Sequence, residues 1–258
     1  MDLVAPIPGR SRRGARVDAM TERDKLFADA SDTGDFVFDS AVAAVFPDMI
    51  RRSVPGYAAI LNMISLLAER YAQPDSTLYD LGCSLGASTA ALANGASALA
   101  CRVVGVDNAP AMLDRAEAEL ATTFPTIEWI CSDVRDVALA DASLVVMNFT
   151  LQFLPVDERL ALLQRIRNAL RPGGILVLSE KFAGPDKTAD DLLTEMHHAF
   201  KRANGYSQLE ISRKRSALEN VLVPETLEQH HSRLTEAGFS RVEPWFQCFN
   251  FMSMVAFR

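Results

Sequence analysis

The residues in this chain that could do chemistry are glycines, acids and an amide, and they recur at the ends of apolar runs. Gly82 and Gly86 stand in Tyr79-Asp80-Leu81-Gly82-Cys83-Ser84-Leu85-Gly86, between the apolar lead Thr77-Leu78-Tyr79 and an Ala-rich segment from Ala87 to Ala100. That order reads as strand, tight turn, helix. Glycine has no Cβ to hold a ligand away from the backbone, and the helix start behind the turn offers unpaired N–H groups and the positive end of a dipole. A dinucleotide fingerprint needs glycine where Ser84 and Ala87 stand, so the spacing weakens an NAD reading. Many Gly-rich turns are only turns, and the rest of the chain has to decide.

Asp107 follows the second β-rich run, Cys101 to Val106, and lies about twenty residues past the turn, where an acid at a strand end can accept both hydroxyls of a ribose. It could instead be the N-cap of a helix starting near Pro110, a job Asn108 could do equally well. A third run, Thr126 to Cys131, leads to Asp133, placed to accept from an adenine amino group. A fourth, Ser143 to Met147, is continuously apolar like a buried parallel strand and ends at Asn148. Ligands of open α/β sheets bind outside the carboxyl ends of the strands, so these successive ends form one constellation. The pattern Asp80-x-Gly82-x-x-x-Gly86 after a strand resembles the first motif of the S-adenosylmethionine-dependent methyltransferase fold.

The elements that must position these residues follow in order. Pro47 and Pro55 bracket an expected turn over the pocket, and Tyr57 opens a helix running to about Arg70. The Tyr57 phenol could meet a carboxylate, or the ring could be core with its hydroxyl at the surface. A fifth strand, Ile175 to Leu178, follows the turn Arg171-Pro172-Gly173-Gly174. About two helices at 188–220 interrupt the repeat and concentrate positive charge, including Lys201, Arg202, Arg213, Lys214 and Arg215. Such residues on a helix usually make a solvated face. His197 and His198 are adjacent, so they point to different faces and make a poor metal pair. A helix from Glu225 to Ala237 and two strands close the sheet.

Composition narrows the function. The chain has 258 residues, 49% hydrophobic and 23% charged, which fits one α/β domain and leaves no apolar run long enough to cross a bilayer. A net charge of −7 disfavours direct tRNA or other nucleic-acid binding, which needs a cationic footprint. Cys83, Cys101, Cys131 and Cys248 are scattered with no C-x-x-C pair, so neither zinc nor a disulfide framework is indicated; three are expected as buried thiols of a reducing cytosol. Residues 1–19 carry Arg10, Arg12, Arg13 and Arg16 without an apolar core, and are expected to be a disordered extension ahead of a natural start at Met20. The single domain is expected over 20–258.

Longer strings carry a more specific likeness: Val45-Phe46-Pro47-Asp48-Met49-Ile50, Arg52-Ser53-Val54-Pro55-Gly56-Tyr57, the glycine octapeptide, Leu178-Ser179-Glu180-Lys181-Phe182, Phe200-Lys201-Arg202-Ala203-Asn204-Gly205-Tyr206 and Trp245-Phe246-Gln247-Cys248-Phe249-Asn250-Phe251. With them the chain resembles the carboxy-S-adenosyl-L-methionine synthase family. The resemblance implies a Rossmann-like class I methyltransferase fold, with a mostly parallel seven-stranded sheet, helices on both faces and a helical insertion. It implies a cytoplasmic homodimer without metal that converts S-adenosyl-L-methionine and prephenate to carboxy-S-adenosyl-L-methionine and phenylpyruvate. The product would supply a separate tRNA carboxymethyltransferase acting on wobble uridine. The family's ligand contacts fall on Tyr57, Gly82, Cys83, Ser84, Asp107, Asn108, Asp133, Val134, Asn148 and Arg215, the last reaching the product's carboxylate from the neighbouring subunit. The implied chemistry is decarboxylation of prephenate and capture of its CO2 at the acidified methyl through a transient ylide, with no protein nucleophile. Two rivals stand beside it: an ordinary small-molecule methyltransferase and a non-catalytic cofactor-binding partner of a tRNA-modifying enzyme.

Overall fold

A computed structural model describes residues 22–28, 37–218 and 221–258, so the expected extension at 1–19 lies outside the described residues. Helices α1 (Ser40–Ser53) and α2 (Tyr57–Tyr71) precede alternating strands and helices: β1 (Thr77–Leu81), α3 (Ala87–Gly95), β2 (Arg102–Asp107), α4 (Pro110–Leu120), β3 (Glu128–Cys131), β4 (Ala142–Asn148), α5 (Arg159–Ala169) and β5 (Leu170–Lys181). Then come α6 (Lys187–Ala203), α7 (Gln208–Leu218), α8 (Leu227–Glu236) and the hairpin β6 (Arg241–Cys248) and β7 (Phe251–Phe257). The seven strands lie in the order β3-β2-β1-β4-β5-β7-β6, with β7 antiparallel to both neighbours and the others parallel. Among the described residues, no helix is long and apolar enough to cross a membrane.

Alternation along the strands shows why the sheet is covered twice. Tyr79, Leu81, Val145 and Met147 face one core with Leu162 and Ile166 of α5 and Leu234 of α8. Leu78, Leu144, Val146 and Val177 face the other, with Ile60 and Ile64 of α2 and Leu92 of α3. A strand buried on both faces has no polar side to alternate with, which explains the continuous apolar run of β4. The chain order reverses between β1 and β4, so the crevice at their carboxyl ends is where this architecture admits a ligand.

Four local expectations need correction. Pro47 does not bracket a turn: it lies inside α1. A proline there cannot donate to the carbonyl four residues back, and the Arg115 guanidinium of α4 donates to that carbonyl, on Ala43, instead. Helix α3 stops at Gly95 rather than Ala100; a Cβ at Gly95 would lie 2.1 Å from the Ser65 carbonyl oxygen, so the glycine lets the helix end rest on α2. The cap of α4 is Ala109, not Asn108, and it uses no side chain. The Arg-Pro-Gly-Gly turn is absorbed into β5 as an irregularity, because its ladder with β4 jumps from Ala142↔Leu170 to Leu144↔Ile175.

Candidate functional site

The exit of β1 is pinned to β2 by its own backbone. The Gly82 and Cys83 N–H groups both donate to the Val106 carbonyl, at 2.8 and 2.9 Å, and Ser84 N–H donates to Asp107 Oδ2 at 2.8 Å. Gly86 N–H goes to the Cys83 carbonyl at 2.8 Å. These turn amides therefore already have partners and are not set out as a phosphate cradle, in agreement with the departure from the dinucleotide spacing. Asp107 also accepts from Ala109 N–H at 2.9 Å through Oδ1. Each of its oxygens keeps a lone pair for an incoming hydroxyl, and burial raises its pKa against the amide bonds that lower it.

Gly82, Cys83, Ser84, Asp107, Asn108, Asp133, Val134, Asn148, Tyr57 and Arg215 all line one cavity of about 640 Å³, within the roughly 300–1,000 Å³ of small-molecule sites. Asn148 at the end of β4 donates to Ser88 Oγ at 2.9 Å, while its Oδ1 is buried without a partner. The buried Oδ1 of Asn250, in the turn between β6 and β7, is likewise unpartnered and lines the same cavity. Buried acceptors left unmade are costly, so both call for donors from a ligand. Tyr57 stacks obliquely on Phe149, with centroids 6.4 Å apart, and burial, then the Asp80 carboxylate, pushes its phenol up so that it stays a donor. Asp80 lies beneath the turn, fully buried, and takes the Thr89 hydroxyl at 2.6 Å. Its Oδ1 has no partner, and burial drives the carboxyl up to about 7.

Asp133 is less free than its place at a strand end indicates. Arg135 grips both of its oxygens, at 2.8 and 2.7 Å, and that hydrogen bonding holds the carboxyl low. A carboxylate has about four acceptor positions, so an amino group has to share it with Arg135. The thiols divide unevenly: Cys83 is buried and burial pushes it well up, but Cys131 is exposed, contrary to the expectation of buried strand cysteines. Cys131 ends β3, which is an edge strand among the described residues.

The cavity also has cations in its lining. Lys181 from β5, Lys201 from α6, and Lys214 and Arg215 from α7 line it. Arg215 is exposed and lines the cavity of its own chain. Lys201 and Lys214 correct the solvated-face reading: they are 8% and 7% exposed. His197 is buried beside them, its Nε2 2.8 Å from the Ser53 carbonyl and its ring edge-on to Phe251 at 4.8 Å. Burial, then Lys201, drives this histidine down to about 2, so it is a neutral Nε2–H donor.

One buried group to which the sequence alone assigns no role, Glu180, holds the wall between β4 and α5. Glu180 accepts from Leu151 N–H at 2.8 Å and Gln152 N–H at 3.1 Å, fixing the 3₁₀ turn Leu151–Phe153 against β5. Burial raises its carboxyl from 4.5 to about 8, against those two amides and Arg159. Between these values the folded protein binds a proton that the unfolded chain releases, so this group lowers stability as pH rises. Glu180→Gln removes that titration. Urea denaturation at several pH values is expected to move in the variant's favour, relative to wild type, as pH rises from 4.5 to about 8; a constant difference would contradict the assignment.

A family model described as a methyltransferase domain matches residues 78–174. The chain is 58% identical over 227 residues to the carboxy-S-adenosyl-L-methionine synthase of Geobacter sp. (strain M21), covering 87% of this chain and 93% of that protein. It is 54% identical over 240 residues to the protein of the same name from Klebsiella pneumoniae (strain 342), covering 92% and 97%. Human N-acetylserotonin methyltransferase in complex with SAM shares the fold at a TM-score of 0.56 and 16% identity, over 85% of this chain and 55% of that one.

Proposed function

The chain belongs to the carboxy-S-adenosyl-L-methionine synthase family, and from that premise we propose that it carries out the synthase reaction with prephenate as the carboxylate source. The net change is balanced. The ring of prephenate loses one carboxylate as CO2 and its hydroxyl, becoming phenylpyruvate. The cofactor methyl exchanges one hydrogen for that CO2, and the hydrogen leaves with the hydroxyl as water. When bound, S-adenosylmethionine supplies a sulfonium whose methyl hydrogens are acidified.

The observation that carries this reading is that one cavity is lined both by the strand-end acceptors and by a set of cations. Of the acceptors, Asp107 receives ribose hydroxyls, Asp133 with the Val134 backbone meets the adenine edge, and Asn108, Asn148 and the Gly82-Cys83-Ser84 turn frame the rest. The unpartnered Oδ1 of Asn148 fits that ligand. Tyr57 donates from its phenol, and the rings of Phe149 and Phe251, with centroids 5.8 Å apart, exclude water. Arg215 grips the transferred carboxylate through both oxygens, which a lysine cannot do. No metal enters this scheme. The product passes to a tRNA carboxymethyltransferase in the cytoplasm, and the acidic chain itself does not hold the tRNA. A homodimer is supported by apolar side chains left outward on the insertion, Leu192 and Met196 of α6 and Leu209 of α7.

Mass spectrometry of the small molecule released from the purified protein, and of mixtures with S-adenosylmethionine and prephenate, tests the reading. A species heavier than the ordinary cofactor by one CO2 supports it; only S-adenosylhomocysteine with a methylated product supports the ordinary methyltransferase instead. Arg215→Leu is expected to weaken carboxy-S-adenosylmethionine by about tenfold to a hundredfold, the equivalent of a charge-assisted hydrogen-bonded contact. Plain S-adenosylmethionine should bind as before. Equal losses for both ligands in titration calorimetry would remove the role given to Arg215.

A further inference from the structure

Lysines are almost never buried without a partner, and the insertion buries two beside the same cavity. Among the described residues, no carboxylate forms an ion pair with Lys201 or Lys214. Lys214 has only a long hydrogen bond to Ser53 Oγ, at 3.4 Å, and the Tyr206 ring at 5.8 Å. The acid that acts on both from a distance, Asp24, is already engaged by the Tyr206 hydroxyl and the Leu26 N–H. Removing an ammonium from water without an anion costs several kcal/mol by general estimates, so an arrangement that does this twice within one cavity is built for an anion that arrives from outside.

Arg215 does not make these lysines redundant. It follows Lys214 directly, and successive helix residues diverge by about 100°. Lys214 is accordingly buried and Arg215 exposed. The two cations of α7 thus address different points, and Lys201 from α6 joins the buried one.

We propose that Lys201 and Lys214 hold the second carboxylate of a dicarboxylate co-substrate, the one that is retained, while Arg215 addresses the one that is transferred. This rests on the synthase reading above, in which prephenate keeps its side-chain carboxylate as phenylpyruvate. The lysine pair then selects a dianion and orients it, with its departing carboxylate toward the cofactor methyl. The electrostatics agree. Burial, then Lys214 and Lys181, against Asp24, lowers Lys201 to about 7. Burial lowers Lys214 to about 8, with Asp24 opposing and Arg52 adding. A bound carboxylate would restore the charged forms of both.

The test separates the two carboxylates with two ligands. Full-length wild type, Lys201→Met, Lys214→Met and Arg215→Leu are titrated with phenylpyruvate in saturating S-adenosylmethionine, and separately with carboxy-S-adenosylmethionine. Each lysine variant is expected to lose about tenfold or more in phenylpyruvate affinity and in prephenate KM, with carboxy-S-adenosylmethionine within about twofold. Arg215→Leu should show the reverse pattern. Methionine keeps the apolar stem, so the ligand-free melting midpoint should stay or rise as a buried charge is removed. A fallen midpoint with equal losses for both ligands would make the lysines structural and overturn the proposal. Unchanged phenylpyruvate affinity with normal wild-type turnover of prephenate would overturn the proposal alone, whereas a wild type that neither binds phenylpyruvate nor consumes prephenate would overturn the synthase reading beneath it.

Discussion

Arg159→Met is expected to destabilise the protein by about 3 kcal/mol and to weaken cofactor binding, although residue 159 does not line the cavity. The guanidinium is fully buried and its donors are distributed among four partners. Nε and Nη2 donate to the Leu154 carbonyl at 3.0 and 2.9 Å, Nη2 also reaches the carbonyls of Gln152 and Val223, at 3.2 and 2.9 Å, and Nη1 pairs with Glu225. Burial alone would raise the Glu225 carboxyl, but hydrogen bonds from Arg233 and Arg159 hold it low. Deleting one side of a buried ion pair generally costs about 3–5 kcal/mol. The lower end applies because Arg233 still meets Glu225, at 2.6 Å.

The effect reaches the ligand because Gln152 and Leu154 line the cavity, as do Leu222 and Pro224, which flank Val223, and Val223 N–H donates to the Gln152 carbonyl at 3.0 Å. Arg159 is thus a positioning residue that ties the wall after β4 to the strand-like return after the insertion. Urea denaturation and S-adenosylmethionine titration should both register the loss. Arg159→Lys is expected to recover little, since one ammonium cannot serve four acceptors on diverging lines. An unchanged urea midpoint in Arg159→Met would show that the network is not needed to hold the walls.

Much of the acceptor set was legible because a parallel strand places its last residue at the sheet's carboxyl edge. Once β1, β2 and β4 are recognised as apolar runs, the positions of Gly82, Asp107 and Asn148 follow from local chain order. The cationic set was hidden for the opposite reason. Helix α6 turns His197 and Lys201 inward and leaves Leu192 and Met196 outward, 57% and 39% exposed, reversing the amphipathic rule on which a solvated-face reading depends. Asn250 was missed because its position is set by non-local pairing: the antiparallel register Lys181↔Phe251 brings the β6–β7 turn to the carboxyl end of β5. Pro47 misled because the proline rule concerns the helix's own bonds, and a side chain from another helix supplied the missing donor.

Gly82→Ala is expected to have the largest effect on function, with S-adenosylmethionine binding weakened well beyond tenfold and a stability loss of about 2–5 kcal/mol, the sum of two independent penalties. The backbone at Gly82 has φ +80°, in the left-handed region that costs a residue with a Cβ about 1–2 kcal/mol. The added Cβ would also stand 2.3 Å from Thr150 Oγ1, 2.4 Å from its Cγ2 and 2.9 Å from its Cβ. Thr150 itself lines the cavity, so relief of the overlap displaces a wall residue next to Phe149. The turn cannot simply retreat, because the Gly82 and Cys83 amides are tied to Val106 and Ser84 N–H to Asp107, the proposed ribose acceptor. The two penalties are separable: Thr150→Gly removes all three colliding atoms, so in the double variant the overlap should vanish and about 1–2 kcal/mol of backbone strain remain. A double variant no more stable than Gly82→Ala would show that the collision with Thr150 is not the cause, and Gly82→Ala binding cofactor like wild type would mean that the turn is not where the ligand approaches the backbone.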